Sequence, residues 1–333
     1  MEPGPHGVLA AIGGTPLVPL TRLLPDAPFR VFAKLESASP GGSIKDRTAF
    51  AMLSAAIESG TVVPGRSTVV ESSSGNLGIG LAQACRYFDV RFVCVVDPRT
   101  NAQNVAIMRA LGAEVHMVTE RDAETGEYLP VRIRRVRELA TTLPDAYCPN
   151  QYANPLNPFA HRTTMREIVD ALGAAPDYLL CTISSCGTLR GCAEYAEDHD
   201  LPVRIVAVDA ECSAIFHEPV GRRLIPGHGA AMPPALLRPG LADEVIHVSD
   251  LDCVVGCRRL AAREAILAGG SSGALVSALH RLRDRIPAGA TCALVLADTG
   301  TRYLDTIYDD AWVTALFGDV TALWDDTLET AAC

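Results

Sequence analysis

Continuous apolar runs alternate with helical patterns along nearly the whole chain, and that alternation leaves few folds open to it. Residues 67–72, 91–97 and 113–118 are short, apolar and rich in β-branched side chains, and helical patterns cover 75–87, 101–111 and 130–142. The pattern returns with strand-like runs at 177–183, 204–210, 245–248 and 292–298, and with helices expected over 188–197, 251–267 and 273–285. Strands that are apolar on both faces and joined by helices form parallel sheets covered on both sides. Right-handed crossovers then gather the strand carboxyl ends and the helix N-termini along one edge of each sheet. A chain of 333 residues has room for about two domains. The expectation is an α/β protein of two three-layer αβα domains with mostly parallel twisted sheets. A small domain is expected over 43–154, and a large one over 1–42 plus 155–333. The Pro- and Gly-rich stretch 218–240 reads as a long irregular loop, of the kind that is usually functional or mobile.

Charge and composition narrow the function classes. A formal charge of −10 argues against a nucleic-acid or anionic-membrane surface. No apolar run reaches the length of a membrane span, and the start MEPGPHGVLA lacks a basic region followed by an apolar core, so a cytoplasmic protein is expected. Eleven cysteines include no CxxC pair. Cys94, Cys181 and Cys292 fall in apolar strand-like runs, where a thiol acts as a small core hydrophobe, and no metal site is expected.

Four loops carry chemistry. The first is Gly41-Gly42-Ser43-Ile44-Lys45-Asp46-Arg47, which opens an apolar helix. A partly desolvated amine at such a turn loses its proton near neutral pH and attacks a carbonyl. That is Schiff-base chemistry and points to pyridoxal phosphate, although a capped surface helix with a solvated lysine reads the same. The second loop, Glu71-Ser72-Ser73-Ser74-Gly75-Asn76-Leu77-Gly78, brings hydroxyls, an amide and N–H groups to a helix start, which suits a carboxylate or phosphate and equally a plain N-cap. The third, Ile183-Ser184-Ser185-Cys186-Gly187-Thr188, follows an apolar strand and offers a nest of N–H donors for a phosphate. It lacks the lysine of a nucleotide-triphosphate loop. The fourth, Ala268-Gly269-Gly270-Ser271-Ser272-Gly273, is either an interhelical turn or a loop that sets one hydroxyl against a cofactor.

Together these loops resemble those of fold type II pyridoxal-phosphate enzymes, the family of cysteine synthase and the β-subunit of tryptophan synthase. The resemblance runs from Gly13-Gly14-Thr15-Pro16-Leu17 to Gly300-Thr301-Arg302-Tyr303-Leu304. It implies that Lys45 bonds the cofactor's aldehyde, that Asn76 hydrogen-bonds the ring oxygen, and that Ser184, Ser185, Cys186, Gly187 and Thr188 hold the phosphate. It implies that Ser271 meets the pyridine nitrogen, and that Ser73, Ser74, Asn76 and Gln151 grip the substrate α-carboxylate. It also implies a homodimer acting on small amino acids. Two departures stand out: the phosphate loop reads SSCGT where the family has GTGGT, and Leu77 replaces a threonine. The SSCGT loop implies an altered cavity beside the phosphate.

Further along, Asp97-Pro98, Tyr128-Leu129, Arg132, Asp145-Ala146-Tyr147, Gln151-Tyr152-Ala153-Asn154 and Val208-Asp209-Ala210 resemble one branch of the family. Its members join O-phospho-L-serine to L-glutamate, making N-(2-amino-2-carboxyethyl)-L-glutamate, a precursor of L-2,3-diaminopropionate for siderophores and peptide antibiotics. The resemblance implies that Arg132, Tyr152 and Ser185 serve the two anionic substrates; for Arg132 a solvated charge on a basic helix face is the competing reading. Cysteine synthase and a non-catalytic pyridoxal-phosphate-binding regulator remain the alternative functions.

Overall fold

The computed structural model describes residues 7–216 and 221–324; the first six residues and positions 218–220 of the expected loop lie outside them. In chain order the elements are β1 (Leu17–Pro19), β2 (Arg30–Leu35), α1 (Lys45–Glu58), β3 (Thr68–Ser72), α2 (Asn76–Tyr87), β4 (Arg91–Val96), α3 (Ala102–Ala110), β5 (Glu114–Met117), α4 (Leu129–Thr142), β6 (Ala146–Tyr147), α5 (Leu156–Leu172), β7 (Tyr178–Thr182), α6 (Gly187–Asp198), β8 (Arg204–Ala210), β9 (Glu244–Val248), α7 (Asp250–Glu264), α8 (Gly270–Leu282), β10 (Thr291–Leu296) and α9 (Asp310–Phe317). Among the described residues no helix is long and apolar enough to cross a membrane.

For its described residues the chain forms two compact units, one of Met1–Gly13 with Ser39–Ala160 and one of Gly14–Ala38 with His161–Cys333. The first contains a sheet in the order β5-β4-β3-β6, parallel throughout. Alternation along its strands sorts the side chains onto two faces. Val69, Phe92, Cys94 and Val96 pack with Met52, Leu53, Ile79, Val105 and Met108 of α1, α2 and α3. Val70, Val93 and Val95 face the other way and meet Val136 and Leu139 of α4. Three layers result, with the apolar strands in the middle.

The second unit has six strands in the order β1-β2-β10-β7-β8-β9, all parallel except the edge strand β1. Leu180, Val206, Val208, Ile246, Val248, Leu294 and Leu296 pack against α7 and α8 on one face. Helix α6 covers β7 and β8 from the other. Helices α7 and α8 cross at two glycines. A Cβ built on Gly256 would overlap the backbone of Gly273, and one built on Gly273 would overlap that of Cys253.

The expected domain limits need correction at three places. Residues 7–13 belong with the first unit, because Leu9 is buried there and Gly7 lies so close to the Tyr87 ring that a Cβ would sit 2.8 Å from it. The turn before α1 does too: Gly42 N donates to Ser39 O at 2.7 Å and Gly41 N to the Asp46 carboxylate at 2.6 Å. Residues 155–160 follow through Asn157, described below. Residues 14–38 lie in the second unit, where Lys34 of β2 is buried, donates to Thr15 O at 2.6 Å and pairs with Glu167 at 2.7 Å.

The sequence patterns miss β1, β2, β6, α5 and α9. Strand β1 is three residues long and partly exposed, β2 carries Arg30 and Lys34, β6 is two residues long, and α5 opens with Asn157-Pro158. None gives a clean periodicity. Described residues 221–240 contain neither helix nor strand, in line with the irregular loop expected there.

The α7–α8 crossing gives a direct test. Gly256→Ala is expected to destabilise the protein by about 1–3 kcal/mol, since the methyl must push against backbone that has nowhere to move. Urea unfolding compared with that of wild type measures it.

Candidate active site

In the first unit Lys45 is the first residue of α1, half-buried, with its N–H donating to Ser43 Oγ at 3.2 Å. Helix α2 fixes α1 by close approach: a Cβ on Gly80 would lie 3.0 Å from Ala49 Cβ and 3.1 Å from Lys45 O. Asn76 starts α2, immediately after the serine loop that leaves β3. Ser73 is buried and its hydroxyl accepts from Gly78 N at 2.9 Å, so it caps α2 from inside the loop. Two more contacts pin that loop from outside. Cys94 Sγ donates to Ser73 O at 3.1 Å, and Asn104 Nδ2 of α3 donates to Ser74 O at 3.1 Å.

Gln151 is buried and tied to α1 through a relay. Asn157 Nδ2 donates to Gln151 O at 2.8 Å, and Thr48 Oγ1, three residues beyond Lys45, donates to Asn157 Oδ1 at 3.1 Å. Tyr152, next in sequence, is 44 % exposed. The first unit thus brings Lys45, Asn76, Ser73, Ser74 and Gln151 into one connected framework. The relay residues Thr48 and Asn157 and the pinning residues Cys94 and Asn104 carry no sequence signal, since each is an ordinary residue in an ordinary helix or strand.

Arg132 departs from one of its two readings. It is not a solvated charge on a basic helix face: it is 7 % exposed, and its Nη1 donates to Asp97 Oδ2 at 2.9 Å. Its neighbours Arg134 and Arg135 do face solvent, with pairs to Asp122 and Glu138. Asp97 follows β4 directly and also accepts from Arg99 N at 2.8 Å. Glu71, the last-but-one residue of β3, is buried and accepts from Ser72 N and from Asn150 N, each at 2.9 Å. Burial pushes its carboxyl up to about 7, against the opposing pull of the Ser72, Asn150 and Gln151 N–H groups and the Arg132 charge.

In the second unit the loop Ser184–Thr188 runs from β7 into α6. Cys186, the N-cap, has φ 67°, ψ −2°, a left-handed conformation that a glycine adopts more readily. Gly187 N lies 3.5 Å from Ser185 Oγ, and Gly229 N donates to Ile183 O at 2.8 Å, bracing the strand end. The Cys186 side chain is 2 % exposed. Burial pushes its thiol up to about 12, helped by nearby Asp209 and opposed by Arg190. The thiol is therefore buried within the second unit. Behind the loop, burial holds the imidazole of His228 down to about 4.

Ser271 is the second residue of α8 and is buried. Its turn is clamped from three sides. Gly269 N donates to Asp298 O at 3.2 Å, Tyr303 Oη donates to Asp298 Oδ2 at 2.7 Å, and Tyr308 Oη donates to Ala268 O at 2.7 Å. Glycines at 269 and 270 are required, because a Cβ at either would overlap Asp298 or Ile225.

These residues fit pyridoxal phosphate. A small-residue loop at one helix start, a clamped serine at another and a half-buried lysine at a third are residue types suited to a phosphate, a pyridine nitrogen and an aldehyde. Such loops on parallel α/β units define a fold type II pyridoxal-phosphate enzyme. The chain belongs to the pyridoxal-phosphate dependent enzyme family, whose model matches residues 8–298. It is 44 % identical over 307 residues to the N-(2-amino-2-carboxyethyl)-L-glutamate synthase of Ralstonia nicotianae, covering 92 % of this chain and 90 % of that protein. It is 43 % identical over 312 residues to the synthase of the same name from Cupriavidus metallidurans, covering 92 % and 91 %. The crystal structure of cysteine synthase from Entamoeba histolytica superimposes with a TM-score of 0.85 at 30 % identity, covering 96 % of this chain and 97 % of that one.

Arg132→Ala leaves Asp97 buried without its partner and removes the cation nearest Glu71. Breaking such a pair costs roughly 3–5 kcal/mol, so the variant is expected to unfold at markedly lower urea. Arg134→Ala, at an exposed pair, is expected to shift stability by less than about 1 kcal/mol.

Proposed function

We propose that this enzyme replaces the phosphate of O-phospho-L-serine with the amine of L-glutamate, giving N-(2-amino-2-carboxyethyl)-L-glutamate and inorganic phosphate. The Cβ–O bond breaks with its electron pair leaving on phosphate, a Cβ–N bond forms, and the glutamate amine loses a proton. The observation that carries this reading is the likeness, along more than nine tenths of the chain, to two synthases with that product in their names. The product is a masked 2,3-diaminopropionate, suited to a siderophore or peptide antibiotic. A cytoplasmic homodimer completes the proposal, with sedimentation of the purified protein as its check.

Bound pyridoxal phosphate supplies the aldehyde and the electron-withdrawing ring that make a β-substituent of an amino acid replaceable. Lys45 would hold that aldehyde through its amine, and the same amine would move the Cα proton of the substrate. Asn76 orients the ring through its oxygen. Ser184, Ser185, Cys186, Gly187 and Thr188 hold the phosphate, chiefly through backbone N–H groups at the start of α6. Ser271 would offer the pyridine nitrogen a neutral hydroxyl in place of a carboxylate, a partner that would leave the ring a weaker electron sink. Ser73, Ser74, Asn76 and Gln151 take the α-carboxylate. Tyr152, exposed beside Gln151, and Ser185 are placed with the second anionic substrate, and buried Arg132 supplies positive charge beneath the carboxylate loop.

Two experiments test the reading. Purified protein incubated with O-phospho-L-serine or O-acetyl-L-serine, each with glutamate or sulfide, is expected to yield the glutamate adduct by mass from the phosphoserine mixture. Cysteine as the main product overturns the reading in favour of cysteine synthase, and no product from any mixture favours a regulator. In the second, borohydride reduction is expected to fix the cofactor to wild type and not to Lys45→Ala, read as the mass of the intact chain.

A further inference from the structure

Glu71 is absorbed by none of the roles above, yet it joins the two stretches that are to hold the substrate carboxylate. One oxygen accepts from Ser72 N at the start of the serine loop, the other from Asn150 N beside Gln151, and Gln151 N is a further donor to it. Strand pairing brings these stretches side by side, since β3 and β6 are parallel neighbours. Both oxygens face N–H donors. These partners are donors without an acceptor among them, so a proton taken up by the carboxyl finds no partner there. The ionised carboxylate is therefore the state that the geometry fits.

We propose that Glu71 is a positioning residue whose ionised carboxylate clasps the Ser72–Asn76 loop to the Asn150–Gln151 segment, so that the affinity for the amino-acid donor falls when Glu71 takes up a proton. This rests on the assignment of those two stretches to the donor carboxylate. The groups facing Glu71 are Arg132 from α4, Cys94 from β4, and Tyr147 and Cys148 at the end of β6, with Asp97 behind Arg132. Burial pushes the Cys94 and Cys148 thiols up to about 12 and raises Tyr147, so these three stay neutral over the range that matters. Glu71, lifted by burial to about 7, is then the member of this group whose charge changes near neutrality. Ordinary carboxylates finish titrating well below that.

Two readouts on the pyridoxal-phosphate-loaded protein test the clasp. The first is hydrogen exchange of the Ser72, Asn150 and Gln151 amides from pH 6 to 8.5, corrected for intrinsic rates. Wild type is expected to gain about tenfold protection at these amides across the range. Glu71→Gln is expected to show low, pH-independent protection there with β4 unaffected. The second is the dissociation constant of O-phospho-L-serine or O-acetyl-L-serine, read from the visible spectrum. Wild type is expected to weaken about tenfold towards pH 6 relative to Glu71→Gln, a difference in which the donor's own titration cancels. Glu71→Asp is expected to restore part of the pH dependence, and the kinetic loss in Glu71→Gln is expected on KM far more than on kcat. The same pH profile in wild type and Glu71→Gln overturns the proposal, as does a donor that binds wild type more tightly as Glu71 protonates. If Glu71→Gln does not fold, flat wild-type protection at the three amides overturns it alone. If neither donor changes either spectrum, the donor assignment fails while exchange still decides the clasp.

Discussion

A parallel strand buried on both faces has no place for polar side chains along its length, and the rest of this structure follows from that constraint. In β3, β4, β7, β8 and β10 the apolar residues run from just after the first position nearly to the carboxyl end, and polar groups stand where the strand stops. Glu71, Asp97, Ser184, Asp209 and Asp298 all stand at such ends. Helix N-termini gather at the same edge, so anion-binding N–H groups and the side chains that orient them arrive together without a dedicated scaffold.

Close backbone approach then sets where those helices start. Gly80 lets α2 lie against α1 at the turn that carries Lys45, and Gly256 with Gly273 lets α7 and α8 cross almost backbone to backbone. The turn that carries Ser271 is held by Asp298, Tyr303 and Tyr308 and has room only for glycine at 269 and 270. A side chain added at any of these places would have to push packed backbone or side chains aside.

Buried charge is the second consequence. Glu71, Asp97 and Arg132 sit at one sheet edge in the first unit, and each is compensated by N–H groups or by another member of the set. An isolated charge at such a depth would be strongly disfavoured, and the paired cluster is tolerated because its partners are preorganised by β3, β4 and α4. In the second unit the N-cap position of α6 is held by Cys186 in a left-handed conformation with its thiol packed inside.

The strand and helix alternation, the four loops and the family they belong to were all legible in the sequence, because each depends on local pattern: period, chain punctuation, and residue types at fixed offsets. That Lys45 and Asn76 stand at helix starts was legible for the same reason. Weakly patterned elements such as β1, β6 and α5 were not, and neither was the grouping of residues 7–13 with the first unit, which depends on one buried leucine and one tyrosine ring. Only the tertiary structure decided that Arg132 is a buried partner of Asp97 and not a surface charge. It also decided that Thr48 and Asn157 link Gln151 to the lysine helix, and that Glu71 ties two distant loops together. Those facts depend on which strands and helices become neighbours, and pairing across long sequence separations leaves no mark in the local pattern of residues.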